Sequence, residues 1–395
     1  MARKAASGTG TIRKKTITHN GKEYTYWEAR YTEGTDPGTG KQIQRSISGK
    51  TQKEVAQKLK AATAAIDQGT YITPSKMTVG EWLDIWQRDY LGGVKAYTVA
   101  TYKSNIKNHI KPAMGAMKLE ALNAHTIQEF YNSSKTVLDD KKPLSPKTIK
   151  NIHGVLHTAL QQAVSIGYLR FNPAAACTLP RCQRPEIKPL DEAQSKAFLQ
   201  AIKGHRFETL FTVTLFTGMR EGEVLGLQWD CVDFKTGTIL INKQLQKDRT
   251  NGGVYVLVPT KNSKGRTITP APWVMQLLRS HRARQATQRL RMGEVWEDSG
   301  LVFTDELGRH LVTYTVYTDY KAVVASIGRP DARFHDLRHS YAVAAIRSGD
   351  DIKTVQGNLG HATAAFTLDV YGHVTDQMKQ ASADRMEAYI KRIFE

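Results

Sequence analysis

Alternation of apolar and polar positions dominates the start of the chain. Lys22-Glu23-Tyr24-Thr25-Tyr26-Trp27-Glu28-Ala29-Arg30-Tyr31 repeats with period two, Asp36-Pro37-Gly38-Thr39-Gly40 breaks it, and Lys41 to Ile47 resumes it. Period two on either side of a Pro-Gly turn predicts a hairpin of two strands. From Thr51 the spacing lengthens. Val55, Leu59, Ala62 and Ile66 follow Thr51-Gln52-Lys53-Glu54, a capping-box signature, and the run stops near Gly69. A two-to-three-stranded sheet backed by one amphipathic helix is expected, and its Tyr26, Arg30 and Arg45 are candidate DNA contacts through a ribbon laid in a groove.

The helical period continues from Thr78. Thr78-Val79-Gly80-Glu81 is a second capping box, with Trp82, Leu83, Ile85 and Trp86 behind it. Ala96 to Ile110 follows, stopped by Pro112; then come Leu122 to Tyr131 and Ser145 to Ile166, the last striped by Ile149, Ile152, Leu156, Leu160 and Val164. Four such segments predict a compact bundle. Lys147 and Lys150 lie off its apolar stripe, free to meet phosphates. Between Asn172 and Pro189 the texture turns to proline interleaved with Arg181, Arg184 and Lys188, which predicts an extended basic linker. From Leu190 helices return, interrupted by strands at Thr238 to Ile241, Val254 to Val258 and Arg266 to Thr269, the last two joined by a tip carrying Lys261 and Lys264.

Composition narrows the class. The chain has 395 residues, beyond one usual domain, and 40% of them are hydrophobic, enough for real cores. With 56 Lys and Arg against 37 acids, the formal charge of +19 points to a polyanionic partner. Cys177, Cys182 and Cys231 make neither a disulfide framework nor a metal quartet, which fits a reducing cytoplasm. The basic start is followed by small polar residues from Ala5 to Thr11, unlike a signal peptide, and no apolar run has membrane-spanning length.

The chemistry lies in the last third. In His335-Asp336-Leu337-Arg338-His339 a histidine and an arginine three apart share one helical face, where both can close on a single anion. Leu359-Gly360-His361 is a turn bearing a further polar group, and Tyr371 follows in Asp369-Val370-Tyr371-Gly372-His373-Val374. Upstream, Gly218 ends one helix in Thr217-Gly218-Met219-Arg220-Glu221-Gly222-Glu223. Arg220 then opens the next, where free N–H groups favour anions, and Glu223 one turn on is placed to hold its guanidinium fork. A tyrosine among cationic donors answers the needs of covalent attack on a phosphodiester: a nucleophile, neutralised oxygens and a protonated leaving group. Each piece alone is commonplace as a solvated pair, a packed tyrosine or a lysine guarding a strand edge. Their joint order and spacing carry the reading.

Arg220 in T-G-M-R-E-G-E, Lys261, His335 and Arg338 in H-D-L-R-H, His361 in L-G-H and Tyr371 together resemble the tyrosine recombinase (phage integrase) family over residues 190 to 395. The layout before them is similar to the three-part build of phage and conjugative-transposon integrases. The resemblance implies a multidomain, mainly α fold with small β parts. It comprises an N-terminal β-sheet plus helix arm-binding domain over 1–72, a helical-bundle core-binding domain over 77–172, a basic linker over 173–189 and a mixed α+β catalytic domain with a tail helix over 190–395. It further implies that Arg220 and Arg338 clamp the scissile phosphate, that Lys261 (or its neighbour Lys264) protonates the leaving 5′ oxygen, and that His335 and His361 serve acid/base and hydrogen-bonding roles. Tyr371 would attack to give a 3′-phosphotyrosyl link, which conserves bond energy and needs no nucleotide cofactor and no metal. Tyr341 and Tyr389 are rival nucleophiles.

The implied partners are double-stranded DNA core and arm sites, a homotetramer on DNA, an excision factor and a host DNA-bending protein, in the bacterial cytoplasm and nucleoid, with no membrane. A non-enzymatic DNA binder and a type IB topoisomerase are the competing readings. The full set of six catalytic residues argues against the first, the N-terminal module and tail helix against the second.

Overall fold

The computed structural model describes residues 11–19, 22–36, 38–68, 71, 76–135, 143–182, 187–248, 252–260, 265–360 and 375–394. The chain divides into two compact units, Met1–Gln183 and Arg184–Glu395.

The first unit opens with an antiparallel sheet of β1 (Ile12–His19), β2 (Lys22–Thr35) and β3 (Gln42–Gly49), in the order β1-β2-β3. Asp36 builds the turn by accepting from the Gly38 and Thr39 amides. Helix α1 (Gln52–Asp67) covers one face, burying Val55 and Ala65 beside Ala29 and Tyr31. Only half the expected box forms here. Thr51 accepts from the Glu54 amide, but the Glu54 carboxylate turns to the amide of Lys50.

A bundle follows: α2 (Val79–Asp89), α3 (Ala96–Asn105), α4 (Lys111–Met114), α5 (Ala124–Ser133) and α6 (Pro146–Ser165). The Thr78 and Glu81 box at α2 is complete. Pro112 does not stop the third segment as expected. A π-helical turn, Ile106–Ile110, joins α3 to α4, and the Lys111 amide reaches back to the Ile106 carbonyl. That wider turn rearranges the ladder where proline lacks its donor. Trp82, Trp86, Ile106, Ile110, Ile127, Ile152, Leu156 and Leu160 are buried together, and the Trp82 indole donates to the Ala159 carbonyl at 3.0 Å.

The linker expected over 173–189 is shorter at both ends. Ala174 is fully buried in the bundle core, and the Thr178 amide donates to Gln128 at 2.7 Å. Beyond it, Arg329 donates to the Lys188 carbonyl and the Leu190 amide to Ser340 at 2.8 Å. Apolar burial and hydrogen bonds between backbone and side chains thus annex both flanks of the Pro-rich stretch.

The second unit comprises α7 (Glu192–Ala201), α8 (Glu208–Thr217), α9 (Glu221–Leu225), strands β4 (Val232–Asp233), β5 (Thr238–Ile241), β6 (Lys243–Asp248), β7 (Val254–Pro259) and β8 (Arg266–Ile268), then α10 (Pro272–Met292), α11 (Thr313–Ser326), α12 (Asp336–Arg347), α13 (Ile352–Leu359) and α14 (Thr375–Phe394). Its core gathers Phe198, Phe211, Val224, Ile239, Leu278, Tyr320 and Leu337. Helix α8 is buried on nearly every side, from Thr209 to Leu215 and again at Thr217, so it is the axle of this unit. The expected hairpin of β7 with β8 is not formed. β7 pairs with β6, and β8 pairs with β5 in a separate sheet, β4-β5-β8. β6 reads K-Q-L-Q-K-D, too polar to announce itself, and it takes the partner that β8 was expected to supply. The predominantly helical, multidomain architecture is otherwise the expected one.

Among the described residues, no helix is long and apolar enough to cross a membrane, and no group of His, Cys, Asp or Glu is arranged to hold a metal ion.

Candidate active site

The site grows from the end of α8. Gly218 caps that helix in a left-handed conformation with φ at 63°, where a side chain is strained. There is no room for one either: a Cβ would stand 2.5 Å from Cδ1 of Tyr341 and 2.7 Å from Cδ2 of Leu359. The chain then leaves with Arg220 at the N-cap of α9. Glu223 accepts the Arg220 amide on Oε2 at 2.9 Å and the Arg220 guanidinium on Oε1 at 2.7 Å. One carboxylate therefore fixes both the backbone and the side chain of the arginine, as the sequence spacing anticipates.

Glu223 is 1% exposed. Burial alone would raise its carboxyl, but the hydrogen bonds and charge of Arg266, joined by those of Arg220, outweigh it and hold Glu223 down at about 2. Arg266 was not singled out in the sequence. It donates Nη1 to Oε1 at 2.9 Å and Nη2 to Oε2 at 2.7 Å, a bidentate pair. A signal for it existed. In Arg266-Thr267-Ile268 the arginine shares its strand face with the buried Ile268, and a cation on a core face needs an anion.

Arg338 lies in the first turn of α12 and is 1% exposed. Its Nη1 donates to the Gly218 carbonyl at 2.7 Å and its Nη2 to that of Leu359. Arg220 and Arg338, far apart in sequence, thus meet at the turn ending α13, because Arg220 Nη2 also donates to the Gly360 carbonyl at 3.3 Å. His335 is the N-cap residue of α12 and lies open at the surface. Loss of water first, then the positive neighbours His339, Arg338 and Arg220, opposed by Asp336, lower its pKa. His339 beneath it is 7% exposed, with ring centroids 5.0 Å apart. Burial first, with Arg333 and Arg338 opposed by Asp336, pushes His339 down to about 4.

Of the six catalytic candidates, Arg220, His335 and Arg338 are brought together by these contacts, with Glu223 orienting. Lys261, its rival Lys264, His361 and Tyr371 lie outside the described residues. Tyr341 is a packed residue, its hydroxyl accepting from Asn358 at 3.2 Å and its ring against Gly218. Tyr389 stands on α14, half exposed.

The DNA-contact candidates scatter. Tyr26 and Arg30 occupy the sheet face turned away from α1. Arg45 pairs in register with the buried Tyr31, so it lies on the helix-covered face, and it is tied to Glu33 at 2.6 Å. The parity of the register removes Arg45 from the open face, where Arg13 and Lys15 join Arg30 around Glu28 instead. Lys147 is exposed on the first turn of α6, Lys150 is half-buried, Arg181 is exposed, and Arg184 lies outside the described residues.

A buried carboxylate, two arginines and a histidine around one helix turn form an anion site with acid/base capacity. The chain also resembles known proteins. Residues 188–378 match the Phage integrase family and residues 78–134 the Phage integrase, N-terminal SAM-like domain. A tyrosine recombinase XerC-like protein of Caldanaerobacter subterraneus subsp. tengcongensis is 30% identical over 396 residues, 95% of this chain and 98% of that one. The Tn1549 transposon integrase, solved in complex with a circular intermediate DNA, shares the fold at 22% identity with a TM-score of 0.65 over 78% of this chain and 99% of that one. A lambda integrase tetramer bound to a Holliday junction is similar at 19% identity with a TM-score of 0.53, covering 88% and 93% of the two chains.

Proposed function

The chain belongs to the phage integrase family of tyrosine recombinases and is a site-specific DNA recombinase that integrates a mobile element, and from that premise we propose how its own residues divide the work. Arg220 and Arg338 bind the scissile phosphate, His335 and His361 move protons and hydrogen-bond its oxygens, and Lys261 protonates the leaving 5′ oxygen. Tyr371 attacks phosphorus, its phenolic oxygen forming the new P–O bond as the bond to the 5′ oxygen breaks. The phosphodiester energy is retained in the 3′-phosphotyrosyl bond, and a free 5′ hydroxyl reverses the step to rejoin strands.

The convergence of Arg220 and Arg338 on the turn after α13, the turn from which His361 follows, carries this reading. Arg220 is the half-open cation, its side chain 30% exposed, and receives the phosphate first; Arg338 lies deeper and fixes the floor.

Beyond the catalytic unit, the open sheet face with Arg13, Lys15, Tyr26 and Arg30 supports binding at arm-type sites, and the bundle supports core-site contact through Lys147. A homotetramer is supported by α14, whose Met386, Tyr389, Ile390 and Ile393 are exposed, and by a cavity of about 990 Å3 floored by Leu199, Leu215, Phe216 and Tyr341 that suits an apolar helix face from a neighbouring protomer. An excision factor and a host DNA-bending protein complete the proposed assembly on nucleoid DNA.

The test is a nicked suicide duplex carrying a core site selected from a random-sequence pool. The unaltered chain forms a covalent adduct and Tyr371→Phe binds without forming one; an adduct from Tyr371→Phe would reject the assignment. Exchange between two labelled duplexes, rather than relaxation of one plasmid, separates recombination from topoisomerase activity.

A further inference from the structure

Three consecutive carbonyls end α13, and three guanidinium groups take one each. Arg266 Nε donates to the Asn358 carbonyl at 2.8 Å, Arg338 Nη2 to that of Leu359, and Arg220 Nη2 to that of Gly360 at 3.3 Å. The last carbonyls of a helix lack intrahelical partners and form the negative end of its dipole, so cations are favoured there. Here the cations come from three separate elements. Two of them are already assigned to the phosphate. The third, Arg266, is 13% exposed and has one N–H of each terminal nitrogen bound to Glu223, so it is turned toward the acid rather than toward a substrate.

Resting on the recombinase reading, we propose that Arg266 is a positioning residue that sets the catalytic geometry through two other groups. Through Glu223 it orients Arg220, since each carboxylate oxygen is shared between the two arginines. Through Asn358 and close packing on Gly360 it fixes the turn that leads to His361; a Cβ at Gly360, whose φ is 64°, would lie 3.0 Å from the Arg266 Cδ. Arg266 also begins β8, five residues after Lys261 in the sequence. One guanidinium thereby ties the start of α9, through Glu223, to the end of α13.

The charge count agrees. Arg220, Arg266 and Arg338 around Glu223 leave a net charge of about +2, matching the roughly doubled negative charge that a phosphodiester acquires on attack by an oxyanion. Replacing Arg266 by a neutral residue both lowers that balance and frees Glu223 to pull Arg220 inward.

The experiment uses the full chain on the suicide duplex, with Arg266→Met, Arg266→Lys, Glu223→Gln and the Glu223→Gln/Arg266→Met double variant, each first checked for an intact melting transition at the assay temperature. Arg266→Met is expected to slow adduct formation by about tenfold to a hundredfold, the scale of a small misplacement of reacting groups, with core-site affinity unchanged. Arg266→Lys restores part of the rate, and the double variant is no slower than the worse single one. Arg266→Met also gains an acid limb in its pH–rate profile, because a buried Glu223 without its bidentate partner takes up a proton at higher pH and releases Arg220. A purely structural role would move none of the last three. Cleavage by Arg266→Met at the unaltered rate, additive losses in the double variant, or an unchanged pH profile would overturn the role while leaving the recombinase intact. Binding without any adduct from the unaltered chain would instead sink the recombinase assignment, and this role with it.

Discussion

Each unit has a glutamate surrounded by cations, and the two clusters are built to opposite ends. In the first unit Glu28 receives Lys15 at 2.8 Å and Arg13 at 3.2 Å, with Arg30 at 4.0 Å, and the cations keep between a third and just over half of their side-chain surface in water. Its carboxyl is lowered chiefly by the Lys15 hydrogen bond, then by Arg13. In the second unit Glu223 is sealed and Arg266 is withdrawn with it, so that Arg220 alone of the three keeps a sizeable share of its surface in water. Exposed pairs are weak, salt-screened and readily exchanged for another anion. Buried ones hold a fixed geometry at a heavy desolvation cost. The comparison teaches that one motif, a buried acid gripped by bases, leaves its cations exchangeable where they reach water and fixes their alignment where they do not.

The sharpest way to break this contrast is to remove a cation from each cluster. Arg220→Ala should cut adduct formation by about a hundredfold to a thousandfold, the usual loss for one preorganised donor, while duplex affinity persists in a gel-shift titration. If cleavage survives, the buried cluster is no catalytic device. Next in size is the acid itself. Glu223→Ala leaves the withdrawn Arg266 and the half-open Arg220 without their anion and should cost up to about 3 kcal/mol in chemical denaturation, the low end for a broken buried pair, whereas Glu28→Ala should change the same curve less.

A third prediction concerns pH. His339 is depressed in the folded chain to about 4, below an unfolded value of about 6.5, so the unfolded state binds its proton more readily. Its contribution to stability is then present above about pH 6.5 and is lost as pH falls toward 4. Melting temperatures recorded across that window should decline, and His339→Gln should flatten the decline. The smallest effect belongs to the open sheet. Arg30→Ala should weaken arm-site binding and reduce the slope of log affinity against log salt by about 1. Arg45→Ala, on the covered face, should leave the slope unchanged.

Much of this was legible beforehand, because helix caps and periodicity are local. Thr78 with Glu81, the stop at Gly218 and the Arg220 and Glu223 pair need only the residues beside them. What escaped the sequence depended on distance along the chain. Arg266 gains its meaning from Glu223 and Asn358, which approach only after β8 joins β5. The pairing of β7 with the polar β6, the side of the sheet on which Arg45 falls, and the annexed ends of the linker are likewise set by tertiary partners rather than propensity. Pro112 failed as a stop because a π-helical turn offered the backbone another ladder.

Gly218 has a consequence for variation. It launches Arg220, lends its oxygen to Arg338, and leaves the space that Tyr341 and Leu359 fill. Three demands on a single residue without a side chain allow no compromise among them. Saturation of codon 218 followed by selection for strand exchange should return glycine alone, even from a pool in which neighbouring codons drift freely.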